Sequence, residues 1–303
     1  MDNKKKIAFI IPVVVVLFFF AYTRHRYQNS ESPVCGHLQS KEMNEISGIA
    51  ASGINSNLYY IHNDSGDTSR FFAIFPDGEL RSTVYFKGDP KERLGVGDCE
   101  DIAVGPGPVK GKSYVYMGDI GDNYAVRPYI TVYRMEEEAS WAKESISTAH
   151  AVPVHFKYPD SPKDAETLMI DPIGKLIYIV SKRQDSVTVY TSPLNFKAND
   201  TLVLQKRCRL YFPGYKLFRW ITAGDISKDG KQVIIKSYVK VYYWKRQGGE
   251  PIWQTMQRKP AILPYITEKQ GEAIGFDPDG EGYYTTSEGV FSPIYYYKIP
   301  REL

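Results

Sequence analysis

The stretch "ETLMIDPIGKLIYIVSKRQD" (residues 166–185) has apolar side chains at alternate positions after its first residue, then the turn-forming "DPIGK", then a second apolar run. Alternating apolar residues indicate a β-strand with one buried face. Asp, Pro and Gly favour turns because they fix or widen the backbone angles or bond their own backbone. The stretch therefore predicts a β-hairpin that begins with a glutamate.

Four other stretches follow the same plan along the 303-residue chain. They are "SGIAASGINSNLYYIHNDSG" from Ser47, "EDIAVGPGPVKGKSYVYMGD" from Glu100, "TAGDISKDGKQVIIKSYVK" from Thr222 and "EAIGFDPDGEGYYTTSEG" from Glu272. Each is followed by a third strand such as "RFFAIF" or "YITVYRM", and most by a fourth, such as "LRSTVYF" or "LVLQKRCRLYF". Repeated four-stranded units predict an all-β fold, a β-propeller. A β-sandwich would not explain the repeat.

Five copies favour five blades, starting at residues 47, 100, 166, 222 and 272. Six blades would require a divergent blade in the long interval between residues 100 and 166. That interval also holds the helix-like "EEEASWAKESI" (residues 136–146), which we interpret as an insertion. The last copy ends too early for a fourth strand. We expect "VCGHLQS" (residues 34–40) to supply it and close the ring.

The N-terminus carries the apolar run "IAFIIPVVVVLFFFAY" (residues 7–22) after three lysines. Such a run spans roughly 24 Å as a helix, close to a membrane core. Because bulky Phe residues fill its end, an uncleaved transmembrane signal anchor is favoured over a cleaved signal peptide of a secreted protein. Residues 1–29 are then cytoplasmic tail, anchor and linker. Residues 30–303 form the propeller domain, outside the cell or in a lumen.

Charge and cysteine content exclude some functions. The net charge is only +3 and no nucleic-acid-binding motif is present, so we expect no nucleic-acid partner. The three cysteines, Cys35, Cys99 and Cys208, lie far apart, which disfavours a zinc site. We expect three buried thiols, although one disulfide pair is an alternative.

The first residue of each repeat predicts a ring of oxygen atoms. The first strand of each propeller blade lines the central channel, so these five positions converge. Close carboxylates need raised pKa values, a buried cationic side chain or a bound cation. Oxygen donors suit Ca²⁺, the expected cofactor; ordinary channel polarity is the alternative, and Glu45 would add a carboxylate if the register shifts by two. The predicted metal ligands are Ser47, Glu100, Glu166, Thr222 and Glu272.

Polar loops after the second strands are expected on one face near this axis. "GDIGDN" (residues 118–123) is the strongest, with two glycines and three oxygen-bearing side chains. Carboxylates and cations on one face suit a metal–phosphate or sugar-acid ligand. Ordinary loop formation is the alternative. The candidate catalytic residues are Asp64, Asp119 and Asp122, and the candidate ligand-binding residues are Asn63, Asn123, Arg127, Lys182 and Arg183.

The stretches "EISGIA", "EDIAV", "YVYMGDIGDN" and "EAIGF" resemble the calcium-activated nucleotidases, or apyrases. The resemblance implies a five-bladed propeller with one central calcium, held by the five ring residues, and an acidic loop residue at Asp64. Thr222 stands where that family has Ser, and the family's long nucleotide-holding loop has no clear equivalent. The chain also resembles a broader set of uncharacterised propellers.

Three functions follow as expectations. The first is a membrane-anchored, calcium-dependent hydrolase of phosphoanhydride or phosphoester bonds, including those of nucleotides. The second is a non-catalytic propeller that binds a glycan or a protein. The third is a six-bladed sugar-lactone hydrolase. The expected partners are the membrane, through the N-terminal helix, and a small phosphorylated ligand or glycan.

Overall fold

The computed structural model describes residues 33–303, which form five sheets arranged as the blades of a β-propeller. Blade 1 contains β2 (Ile46–Ala51), β3 (Tyr59–Asn63), β4 (Arg70–Ile74) and β5 (Leu80–Phe86). Blade 2 contains β6 (Cys99–Pro106), β7 (Ser113–Asp119), β8 (Ile130–Glu136) and β10 (Ala151–Lys157). Blade 3 contains β11 (Ala165–Asp171), β12 (Leu176–Ser181), β13 (Val187–Pro193) and β15 (Gln205–Leu210).

Blade 4 contains β16 (Ile221–Ile226), β17 (Gln232–Ser237), β18 (Val241–Lys245) and β19 (Ala261–Leu263). Blade 5 contains β20 (Ala273–Phe276), β21 (Gly282–Thr286) and β22 (Pro293–Lys298), and β1 (Val34–His37) completes it. The prediction of five four-stranded blades is confirmed, and so is closure of the ring by the N-terminal strand, since Val34 pairs with Tyr295. The six-bladed alternative is wrong.

The hydrophobic core is divided into five clusters, one between each pair of neighbouring blades. The inner strands β2, β6, β11, β16 and β20 each contact the inner strands on both sides. Every residue of β11 is therefore buried, because both of its faces are covered. The aromatic and β-branched side chains that fill these clusters suit closely packed sheets, and packing between blades fixes the ring.

Two segments differ from the prediction. Within "EEEASWAKESI" the helix is only one 3-10 turn, Ala139–Ala142, which buries Trp141 against Phe71 at 5.3 Å between ring centroids. The strand that follows, β9 (Ile146–Ala149), runs parallel to β5 and adds a fifth strand to blade 1. The long repeat interval therefore holds an insertion that covers the preceding blade, as interpreted, and no hidden blade.

The stretch "LVLQKRCRLYF" is divided between two blades. Its first part belongs to β14 (Asp200–Val203), which runs parallel to β10 at the outer edge of blade 2. Its second part forms β15, the expected fourth strand of blade 3. The helix α1 (Ile252–Thr255) contacts β15 in the same way, from the segment after the third strand of blade 4. In each of blades 2, 3 and 4, the segment that follows the third strand therefore contacts the preceding blade.

No helix within residues 33–303 is long and apolar enough to cross a membrane. The anchor predicted at residues 7–22 lies outside the described residues. All three cysteines are free thiols: Cys99 and Cys208 are buried, as expected, whereas Cys35 on the edge strand β1 is exposed.

Candidate functional site

The first residue of each repeat lies at the start of an inner strand, in an irregular part of the sheet. The pairing register shifts at Ser47, Glu100, Glu166 and Thr222, where one strand has an extra residue. Glu272 lies directly before β20. Such bulges turn a side chain away from the regular sheet direction. Four blades therefore have a β-bulge at the position that is predicted to face the axis.

Seven carboxylates meet in this region, which we call the acidic centre. They form three overlapping groups, and within each group one oxygen from each residue lies within 4.8 Å of the others. The groups are Asp64, Asp98 and Glu100; Asp64, Glu272 and Glu288; and Glu100, Asp164 and Glu166. The structure thus brings together the three predicted ring glutamates and Asp64.

Three members of the acidic centre were not predicted: Asp98, Asp164 and Glu288. Asp98 and Asp164 each stand two residues before a ring glutamate, in "DCE" and "DAE". The recurrence of an acidic residue at that offset was the missed signal. Glu45 occupies the same offset in the first repeat, but its side chain is exposed and it lies outside the three groups.

The two ring hydroxyls connect neighbouring blades. The Oγ of Ser47 donates a hydrogen bond to the backbone oxygen of Glu100, at 2.7 Å. The Oγ1 of Thr222 donates to the backbone oxygen of Gly271, at 3.5 Å. Both side chains are fully buried. Each hydroxyl therefore fixes the segment that carries the next ring glutamate. Its donor is used in this hydrogen bond, so only its oxygen lone pairs remain available to a ligand.

Two cations contact the acidic centre directly within residues 33–303. The buried Lys182 forms an ion pair with Glu166 and lies 3.9 Å from an oxygen of Glu272. Arg183 forms an ion pair with Asp164 and lies over the ring of Trp220. Burial alone would lower the pKa of Lys182, but the charges of Glu166 and Glu272 outweigh it and raise that pKa. Lys182 is thus a fixed positive charge, set against seven carboxyl groups.

Burial and repulsion between charges raise the pKa values of several of these carboxyls. Burial, with the nearby Asp98 charge, raises the pKa of Asp64 to about 7. Burial, with Asp164, raises the pKa of Asp98 to about 6. The pKa values of Glu100 and Glu166 are raised well above their ordinary range, chiefly by burial. A centre without a cation therefore keeps protons at neutral pH.

One oxygen of the acidic centre lacks any partner. Glu166 is 3 % exposed, and its buried Oε2 has no hydrogen-bond partner in the part of the chain that the structure describes. A buried carboxylate oxygen without a partner is costly. It is satisfied by a proton or by a cation.

The loop "GDIGDN" supports this centre from blade 2. A Cβ on Gly121 would overlap the Oε1 of Glu100 and the carboxyl group of Asp98, so only glycine lets this loop approach so closely. The Nδ2 of Asn123 lies 3.4 Å from an oxygen of Asp98, and Arg183 donates to the Oδ1 of Asn123. Asn123 therefore bridges Asp98 and Arg183 at the edge of the centre.

Asp119 is largely committed to the backbone. Its buried carboxylate accepts hydrogen bonds from the N–H groups of Gly97 and Asp98, both at 3.0 Å. Arg127 forms an ion pair with it at 2.7 Å. Asp119 thus positions the segment that carries Asp98.

Asp122 and Asn63 have similar roles in their loops. The carboxylate of Asp122 accepts from the N–H groups of Val126 and Arg127, at 2.9 and 2.8 Å. The Nδ2 of Asn63 donates to the backbone oxygen of Glu42 at 2.7 Å and to Asp67 at 2.8 Å. These two side chains stabilise loop conformation beside the acidic centre.

An apolar cavity of about 290 Å³ adjoins the acidic centre. Its walls include Phe218, Trp220 and Tyr238. The hydroxyl of Tyr238 donates to Glu272 at 2.6 Å, so the cavity and the centre share a wall. A ligand bound at the centre would have room here for an apolar group.

Comparison of the chain with protein-family models and with curated proteins finds no match. The five-bladed propeller is shown by the structure, but neither comparison supports the expected likeness to the calcium-activated nucleotidases.

Proposed function

We propose that the acidic centre binds a hard divalent cation, and that Ca²⁺ is the natural occupant. The observation that carries this proposal is the convergence of seven carboxylates on two cationic side chains, with the buried Oε2 of Glu166 unbonded. A divalent cation would neutralise the excess charge and give that oxygen a partner.

The donor set favours calcium over other metals. Ca²⁺ takes about six to eight oxygen ligands in flexible geometry, often with water among them. The three groups contain carboxylates and no His or Cys, which disfavours Zn²⁺. Glu100 and Glu166 are the central ligands of this proposal, with Asp64, Asp164 and Glu272 around them. Ser47 and Thr222 stay proposed ligands through their free lone pairs.

We further propose that the site hydrolyses phosphoanhydride or phosphoester bonds. A bound cation supplies charge neutralisation and polarisation of a phosphoryl group. Arg183, whose side chain is partly exposed, and Lys182 would bind the phosphate oxygens. Asp64 is partly exposed at the centre, so it is the best placed of the predicted carboxylates to orient a water molecule.

The second candidate function is binding without catalysis. Both oxygens of Asp119 and of Asp122 already accept backbone hydrogen bonds, which leaves few free carboxylates for water activation. A propeller that only presents a bound cation to an acidic glycan or protein needs no free carboxylate to activate water. In either case the proposed anchor would place the centre outside the cytoplasm.

Phosphate release separates the two functions. The full-length protein is assayed on nucleoside phosphates and sugar phosphates with Ca²⁺ or with a chelator. The hydrolase proposal predicts release that needs Ca²⁺, is lost in Glu100→Gln/Glu166→Gln, and persists in Asp279→Asn, an exposed carboxylate in the turn after β20. Calcium binding without release from any substrate would contradict the hydrolase and favour the binding propeller.

A further inference from the structure

A groove separates the outer strands of blades 3 and 4, away from the acidic centre. Its volume is about 560 Å³. The buried side chains of Phe212, Tyr242, Trp244 and Met256 form its floor. The rings of Phe212 and Tyr242 pack with centroids 4.5 Å apart, so the floor is tightly packed.

The walls of the groove are positively charged. Arg209, Lys240 and Lys259 line it with exposed side chains, and within residues 33–303 none of the three forms an ion pair. The fourth cation, Arg258, is paired with Glu250 at 2.6 Å. No Asp or Glu is among the residues that line the groove in the described part of the chain. The groove therefore attracts anionic groups, although the whole chain is only weakly basic.

One open sheet edge lies beside the groove. β19 is the outermost strand of blade 4, whereas β9 and β14 cover the edges of blades 1 and 2, and α1 contacts β15 of blade 3. An open strand edge offers backbone groups to an extended chain. Ile262 on β19 is 54 % exposed and adds apolar surface at the rim.

We propose that this groove binds an acidic, extended segment of a partner protein, with at least one apolar side chain on the aromatic floor. Opposite charges bring the segment to Arg209, Lys240 and Lys259. The aromatic floor takes the apolar side chain, which provides most of the binding free energy. A sulfated glycan would use the cations but not the apolar floor or the edge of β19, so the combination favours a polypeptide. This site is independent of the acidic centre.

The test uses fluorescein-labelled peptides of about twelve residues. One alternates Glu and Leu, and a matched one alternates Lys and Leu. Anisotropy should show binding of the acidic peptide to the full-length protein, weakened by salt and at least about tenfold tighter than that of the basic peptide. Lys240→Glu/Lys259→Glu should weaken it about tenfold, whereas Lys110→Glu/Lys197→Glu, a matched change elsewhere on the surface, should not.

Hydrogen exchange should slow at residues 209–213 and 256–263 when the acidic peptide binds. Equal weakening by the control pair would overturn the proposal, as would equal binding of the two peptides. Binding of a sulfated oligosaccharide that depends on Lys240 and Lys259, without binding of the peptide, would also contradict it. Melting curves of both double variants verify that each is folded.

Discussion

Glu100 and Glu166 come from neighbouring blades, yet each places a carboxylate oxygen within 4.8 Å of the other and of Asp164. Burial and the charge of Glu166 raise the pKa of Glu100, and the ion pair of Lys182 is with Glu166 and not with Glu100. The fold holds these groups together because both glutamates lie at bulges of packed inner strands. This repulsion is fixed by the architecture.

Gly121→Ala should weaken calcium binding about tenfold or more without unfolding the protein. The new methyl group must displace Glu100 or Asp98, and changes that disturb the groups around a metal typically cost about such a factor in metal affinity. Calorimetric titration with Ca²⁺ measures the effect. Gly249→Ala is the matched control, because a Cβ there meets nothing within 4 Å. Equal affinities for both variants would show that the loop does not shape the centre.

Ser47→Ala should lower the free energy of unfolding by about 1–2 kcal/mol. The change removes the buried hydrogen bond to the backbone oxygen of Glu100 and leaves that oxygen without this donor. Urea unfolding in the presence of a chelator measures this interblade contribution apart from any metal. The exposed Ser56→Ala serves as control. A loss seen only with Ca²⁺ present would assign Ser47 to the metal alone.

Lys182→Met should make the protein depend more strongly on calcium. Removal of this buried cation leaves Glu166 without its ion-pair partner, a type of change that costs about 3–5 kcal/mol. The melting temperature should fall in chelator, and the rise on adding Ca²⁺ should exceed that of the unmutated protein. Lys110→Met, at an exposed position, should change neither. If Lys182→Met melts like the unmutated protein in chelator, the lysine does not neutralise this centre.

The stability of the protein should fall as the pH rises through the pKa of Asp225. Burial raises the pKa of this carboxyl to about 7, whereas an unfolded Asp titrates near about 3.9. Between these values the folded state holds a proton that the unfolded state has lost. The contribution is therefore complete below about pH 4 and lost by about pH 8, roughly 2–4 kcal/mol in all.

Asp225→Asn removes this titration. Asp225 accepts hydrogen bonds from the N–H groups of Ile226 and Phe276, so the variant will be less stable overall. The difference between the two proteins should nevertheless shrink as the pH rises from about 4 to about 8. A pH-independent difference in unfolding free energy would contradict the assigned pKa.

The blades were predictable from sequence because each hairpin is local and its turn residues recur. The ring glutamates were predictable because the repeat places them at one position. Asp98 and Asp164 were missed because each lies directly before its inner strand, outside the alternating pattern that was used to assign side-chain directions, and the bulges at Glu100 and Glu166 make the local geometry irregular. The strands β9 and β14 were missed because each pairs in parallel with a strand that is distant in sequence. Such a pair is not joined by a short turn that could be recognised in the sequence.

The roles of Asp119 and Asp122 were the hardest to predict. Asp, Asn and Gly in a loop are equally consistent with a ligand site and with a loop that bonds its own backbone. The structure shows that Asp119 and Asp122 accept bonds from the backbone, so Asp64 and the ring glutamates are the better candidates for a site.

Calorimetric titration of the full-length, chelator-treated protein with Ca²⁺ tests the central claim most directly. We predict saturable binding, with protons released at neutral pH because the raised pKa values leave the centre partly protonated. Glu100→Gln/Glu166→Gln should abolish it and Asp279→Asn should leave it unchanged. No heat of binding and no rise in melting temperature on adding Ca²⁺ to the unmutated protein would contradict the account.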